Sequence, residues 1–135
     1  AFMPAAQNDR ADVRQVEPYV HCQSTHGPRS PRFGTSRIPW LSGTAAWSYY
    51  VATQWLLGIR PEMDGLRIDP CIPKAWPGFT ATRKLRGMNL RITVYNEKQA
   101  GRGVTRLAIN GEAAAPGPIP AERLRDGAHL EAWLG

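Results

Sequence analysis

The chain of 135 residues has only two cysteines and no long apolar run, and just 21% of its residues are charged. A helix that crosses a bilayer needs roughly 18 consecutive apolar residues, and no stretch approaches that, so no membrane partner is expected. Cys22 and Cys71 are too few for a disulfide-dense secreted scaffold. Free buried thiols are expected, with a single bridge, or a catalytic or metal role, as alternatives. A reducing cytoplasm is the expected compartment. The opening Ala1-Phe2-Met3-Pro4 has no basic-then-apolar signal pattern and no initiator Met, which fits a fragment or a processed chain. The nucleophile elbow Gly-x-Ser-x-Gly, the dinucleotide motif Gly-x-Gly-x-x-Gly and the P-loop are absent. His21, His26, Cys22 and Cys71 include no pair at customary zinc-ligand spacing, so no metal is expected.

What is present points to a turn-rich domain. Gly 13 and Pro 12 argue against a helical bundle, while 42% hydrophobic residues suffice for one real core. The net charge is +6, and the segment from Arg83 to Arg106 carries all of that excess, seven cations against Glu97 alone. A nucleic-acid footprint is one reading. Alternation of Arg91 and its neighbours with apolar residues favours the solvated face of strands. No stacking motif, zinc-finger spacing or helix-turn-helix pattern accompanies the charge, so no nucleic-acid partner is expected.

Residues 1 to about 41 show little periodicity, and His26 to Arg37 reads as a long ordered loop anchored by Phe33, Ile38 and Trp40. Thr44–Leu57 is the clearest helix, with Ser42 as N-cap and Gly58 as stop. Its apolar residues leave almost no polar side, so it is predicted to be buried on most of its circumference. Beyond Gly58 the period falls to two. Leu66–Ile68, Phe79–Leu85, Leu90–Tyr95, Gly103–Ile109 and His129–Leu134 read as strands, with Asn110-Gly111 as a hairpin turn. The C-terminal half is expected to be an antiparallel sheet layer or small sandwich.

Few residues carry chemistry on their own account. Glu17 with Asp12, or Asp64 with Asp69, could pair as carboxylates, but Asp64-Gly65 and Asp69-Pro70 read first as a turn and a strand exit. Ser42-Gly43-Thr44 opens the helix, where unpaired amides favour an anion; it is an ordinary cap or an anion site. Gln23 has a generic polar reading.

Several strings in order change that weighting. Glu17-Pro18-Tyr19-Val20-His21-Cys22-Gln23, Trp40-Leu41-Ser42-Gly43-Thr44-Ala45-Ala46-Trp47, Leu57-Gly58-Ile59-Arg60-Pro61, Asp64 to Pro73 and Trp76-Pro77-Gly78-Phe79 resemble the C-terminal end of the inverting disaccharide phosphorylases of glycoside hydrolase family 94. These include cellobiose, chitobiose and cellobionic acid phosphorylases. The resemblance covers roughly residues 8 to 112. It implies an α+β chain, with residues 1–60 ending an (α/α)6 barrel and residues 61–135 forming an antiparallel jelly-roll-like β-domain. It also implies reversible phosphorolysis of a β-linked disaccharide with inversion, with inorganic phosphate as co-substrate and no other cofactor. The acid Asp and the phosphate-binding Arg and His of the family lie upstream of this chain. By resemblance Ser42 and Gly43 match a phosphate-binding Thr-Gly pair, Gln23 matches a sugar-binding Gln, and Glu17 is a weaker sugar-side candidate. The expected partners are the disaccharide, phosphate, the missing N-terminal part and a second copy in a homodimer. A non-catalytic carbohydrate-binding module or a structural β-domain is the alternative.

Overall fold

The computed structural model describes residues 10–41 and 43–135. They fall into two compact units, divided between Tyr49 and Tyr50.

In the first unit a short helix, α1 (Ala11–Arg14), ends where Gln15 turns left-handed at φ 56. A hairpin follows, β1 (Cys22–Thr25) against β2 (Ser36–Pro39), antiparallel with Ser24 opposite Arg37. These strands were invisible in the sequence because neither alternates apolar and polar residues. The run His26–Arg37, expected as a loop, is ordered by its own bonds. The His26 amide donates to Thr35 O at 2.9 Å and the Gly34 amide to His26 O at 3.0 Å. Ser30 Oγ meets His26 Nδ1 at 3.1 Å and accepts the Arg32 amide at 3.1 Å. Gly34 sits at φ +89, and a Cβ there would come within 2.6 Å of Val13 Cγ1, so α1 lies close against this loop.

The predicted helix over 44–57 is α-helical only in α2 (Thr44–Tyr50) and continues as a π-helical stretch, Val51–Leu56. The Leu57 amide reaches back five residues to Ala52 O at 2.9 Å. Thr53 Oγ1 donates to Tyr50 O at 3.4 Å, a hydroxyl competing for a helical carbonyl. The expected burial is not observed: Trp47 is 68% exposed and Trp55 51%. The apolar pattern asks for a covering layer that the described residues do not supply. Ser42, the expected cap, lies outside the described residues.

The second unit is β-rich. β3 (Ile59–Glu62), β4 (Gly65–Ile68) and β9 (Ile119–Pro120) form a three-stranded sheet. A five-stranded sheet has the order β5 (Gly78–Leu85), β6 (Met88–Tyr95), β10 (His129–Leu134), β7 (Val104–Ile109), β8 (Glu112–Ala114). Period-two alternation places Leu90, Ile92, Val94, Leu130, Ala132 and Leu134 on one face. With Ile59, Leu66, Ile68 and Ile119 of the smaller sheet they make a single buried core. The expectation of an antiparallel sheet fails in one place: β10 runs parallel to β6, with Leu130 opposite Ile92, so the larger sheet is mixed. The strand enters between β6 and β7 after a long connection, which frees it from hairpin geometry. Asn110-Gly111 is the expected turn, between β7 and β8. Arg91 and Arg106 are exposed on the outer side of the sheet, as solvated strand faces require.

Candidate functional site

A cavity of about 760 Å³ lies in the first unit. It is walled by Arg10 and Arg14 of the N-terminal turns, by β1 with its flanks from His21 to Pro28, by Phe33 and Gly34, and by Thr44. Arg10, which precedes α1, and Arg14, which ends it, both line the cavity. No described lining residue is a carboxylate, so the two guanidinium groups give the cavity a cationic character. Arg14 is positioned by its Nη2 donating to Val20 O at 3.0 Å, and Val20 is buried.

Gln23, in the middle of β1, is exposed and lines the cavity, and so does Thr44 at the first turn of α2. The chain thus brings Gln23 and the residue after Gly43 to one space. Gly43 itself is exposed, and its carbonyl accepts the Trp47 amide at 3.0 Å. A Cβ at 43 would touch the Trp47 ring only at 3.5 Å, an ordinary contact, so internal packing does not demand a glycine there. Ser42 is outside the described residues. Glu17 is exposed and is not among the lining residues; its Oε1 lies 3.5 Å from Trp40 Nε1. The Asp69 carboxylate pairs with Arg60, and the Asp64 backbone carbonyl accepts the Ala121 amide at 2.8 Å.

Both cysteines are free, but neither is buried as expected. Cys71 is exposed, and Cys22 is half-buried on the cavity wall. Desolvation pushes the Cys22 thiol up, yet the polar groups of Ser36, Thr25 and Arg14 and the Arg37 backbone outweigh it, and its pKa falls below the usual thiol value. Thr25 Oγ1 is 3.5 Å from the sulfur. Sequence reasoning missed Arg10, Arg14 and Cys22 as parts of this site. The one available signal was the four-residue spacing of the two arginines. Among the described residues no group of three or more His, Cys, Asp or Glu could hold a metal ion.

Residues 1–58 match the model of the glycosyl hydrolase 94 superfamily catalytic domain, and residues 59–112 match that of the glycosyl hydrolase family 65 C-terminal domain. Residues 1–58 are thus similar to the glycosyl hydrolase 94 superfamily catalytic domain. It is 43% identical over 110 residues to an N,N'-diacetylchitobiose phosphorylase of Vibrio furnissii, covering 82% of this chain and 14% of that protein. A second N,N'-diacetylchitobiose phosphorylase, from Vibrio proteolyticus, is 39% identical over 122 residues, or 90% of this chain and 15% of that one. A solabiose phosphorylase of Paenibacillus borealis is 34% identical over 119 residues, or 88% and 16%. The chain therefore spans about one seventh of the length of these relatives.

Proposed function

We propose that residues 1–60 form the end of an (α/α)6 catalytic barrel, and residues 61–135 the jelly-roll-like C-terminal domain, of an inverting disaccharide phosphorylase. Its reaction is reversible phosphorolysis of a β-linked disaccharide to a sugar 1-phosphate and a free sugar. Relatives that match this chain include two N,N'-diacetylchitobiose phosphorylases and a solabiose phosphorylase. One structural observation carries the reading: Gln23 and Thr44 share a cationic cavity without a described carboxylate on its wall. Phosphate, in the place of the water of an inverting hydrolase, attacks the anomeric carbon while an Asp acid outside this chain protonates the leaving oxygen.

Within this scheme Gln23 hydrogen-bonds the sugar, with Glu17 as a further sugar-side group. Ser42 and Gly43 bind phosphate at the start of the helical run. Since a side chain at 43 would find ordinary room beside Trp47, the glycine serves the close approach of a ligand oxygen. No metal or organic cofactor enters. The enzyme works in the cytoplasm, a reading supported by the free thiols of Cys22 and Cys71. It is a homodimer. The alternative, a carbohydrate-binding β-module, needs open aromatic faces. Trp133 instead lies between Tyr95, stacked at 4.9 Å, and the Arg106 guanidinium, 3.6 Å from its ring centre.

The test uses this chain joined to the upstream part of its enzyme. Ser42→Ala removes one charge-assisted hydrogen bond, about 1.5–3 kcal/mol, and raises KM for phosphate about 10- to 100-fold. Gly43→Val is worse, and Gln23→Ala weakens the disaccharide more than phosphate. If Ser42→Ala and Gly43→Val leave phosphate kinetics unchanged in a folded protein, the motif is only a helix cap.

A further inference from the structure

The cavity of the first unit holds two positive charges that the described residues do not neutralise. Arg10 and Arg14 both line it, and no described lining residue is acidic. The ion pairs among the described residues, Arg60 with Asp69 and Arg67 with Glu62, lie in the second unit. Arg14 is half-buried, and its Nη2 donates to Val20 O at 3.0 Å. That bond uses one of the five N–H groups of the fork and fixes where the guanidinium lies. Val20 is itself buried, so the anchor is firm. The preceding residue, Val13, lies so close to Gly34 that a Cβ there would come within 2.6 Å of its Cγ1, which holds α1 against the loop. Beside the two cations stand Gln23, Ser24 and Thr25, uncharged hydrogen-bonding groups, and the ring of Phe33. Like charges gathered in one cavity repel each other, and an anion in the same space turns that cost into attraction. A volume of about 760 Å³ has room for a sugar-sized ligand as well.

We propose that Arg14 and Arg10 form an oxyanion-binding wall of this cavity. The group they take is a compact oxyanion, phosphoryl or carboxylate. The Arg14 fork holds it through charge-assisted hydrogen bonds, and Arg10 adds charge. The oxyanion has two sources, and naming them rests on the reading of this cavity as a substrate site. Inorganic phosphate makes Arg14 a phosphate ligand in addition to Ser42 and Gly43. A carboxylate on the sugar that Gln23 holds makes the substrate an acidic disaccharide. The two sources place different demands on Gln23: phosphate engages Arg14 alone, whereas an acidic sugar engages Arg14 and Gln23 together. The guanidinium wall itself does not depend on the substrate reading.

The purified chain is titrated with inorganic phosphate, D-glucuronate and D-glucose while NMR follows the Arg14 Nε–H and the Gln23 side-chain amide. At least one anion is expected to shift Arg14 saturably and to bind about tenfold or more tighter than glucose. Arg14→Gln should weaken that anion about 10- to 100-fold, the worth of one charge-assisted hydrogen bond. Arg14→Lys, which keeps the charge and loses the fork, should restore only part of the affinity. Arg10→Gln should weaken the anion less than Arg14→Gln does. Circular dichroism confirms the fold of each variant, and if Arg14→Gln does not fold, Arg14→Lys and Arg10→Gln carry the test. Tighter binding of phosphate, with Gln23 unmoved by it, assigns the wall to the co-substrate. Tighter binding of glucuronate, with Gln23 shifting in step, assigns it to an acidic sugar. The proposal is overturned if neither anion shifts Arg14 saturably, if glucose binds as tightly as both anions, or if the affinity survives every substitution. A Gln23 amide that neither sugar moves rejects the sugar reading of the cavity, while Arg14 still judges the oxyanion wall.

Discussion

The side-chain oxygen of Asn96 accepts the Gly101 amide at 2.9 Å and so ties the end of β6 to the connection that leads into β7. Its amide group donates to Trp76 O at 2.7 Å and to Lys74 O at 3.2 Å, and the residue is only 1% exposed. One side chain therefore satisfies three backbone groups from two passes of the chain.

Asn96→Ala removes all three bonds and leaves backbone groups without partners. The expected loss is about 2–4 kcal/mol, since each unsatisfied buried group costs about 1–3 kcal/mol. Urea denaturation of the purified chain reads this directly. A loss below about 0.5 kcal/mol, the range of an ordinary surface substitution, would mean the loop is held by other contacts.

Two glycines at positive φ should respond differently to alanine. Gly78 at φ +140 would drive a Cβ to 2.0 Å from Val94 O, a clash with the neighbouring strand that only backbone movement relieves. Gly111 at φ +83 has nothing within 4 Å of that position. Gly111→Ala should cost only the conformational penalty, about 1–2 kcal/mol. Gly78→Ala should cost clearly more and disturb the β5–β6 pairing. Equal midpoints in thermal unfolding would contradict this reading.

On the outer side of the larger sheet the Tyr95 hydroxyl donates to Glu131 Oε1 at 3.0 Å. That bond, then desolvation and the charge of Glu131, raises the Tyr95 pKa above the usual phenol value. The folded state therefore holds this proton more tightly than the unfolded chain. The resulting stability is fully present below the unfolded phenol pKa and is lost as pH rises through the raised folded value. Tyr95→Phe should flatten that part of the alkaline unfolding profile. In the parent chain, absorbance titration should show one tyrosine ionising later than the others, and this late step should be missing in Tyr95→Phe.

Trp40, Leu41 and Trp47 are 71%, 78% and 68% exposed. Apolar surface on that scale favours association. Light scattering on the purified chain is expected to give a mass above that of the monomer. Leu41→Ser with Trp47→Ser should move it toward monomer without lowering the unfolding midpoint of residues 50–135. A clean monomer from the outset would remove this support for a dimer.

The strands of the larger sheet were readable because Leu90-Arg91-Ile92-Thr93-Val94 and its counterparts alternate strictly, a pattern that only a half-buried strand needs. The neighbour of each strand was not readable. Nothing local in His129–Leu134 says that it pairs with both β6 and β7, since that choice is made by burying Leu130 and Ala132 in a shared core. The helix at Thr44 was legible as a helix but not in its pitch, because the five-residue reach of the Leu57 amide to Ala52 O leaves no mark on the apolar pattern. At the site, Gln23 could be singled out only by family resemblance.

The central position of β10 has a bearing on synthesis. The β5–β6 and β7–β8 hairpins pair residues close in sequence and can close as soon as each has left the ribosome. The strand that joins them, His129–Leu134, is made last of the ten. Until it arrives, β6 and β7 each present an open edge, and Ile92, Val94 and Leu107 await the neighbour strand that completes their sheet. The nascent sheet is thus two sticky halves for as long as translation of residues 115–134 takes, and slowing the ribosome there would lengthen the period in which other chains can bind those edges.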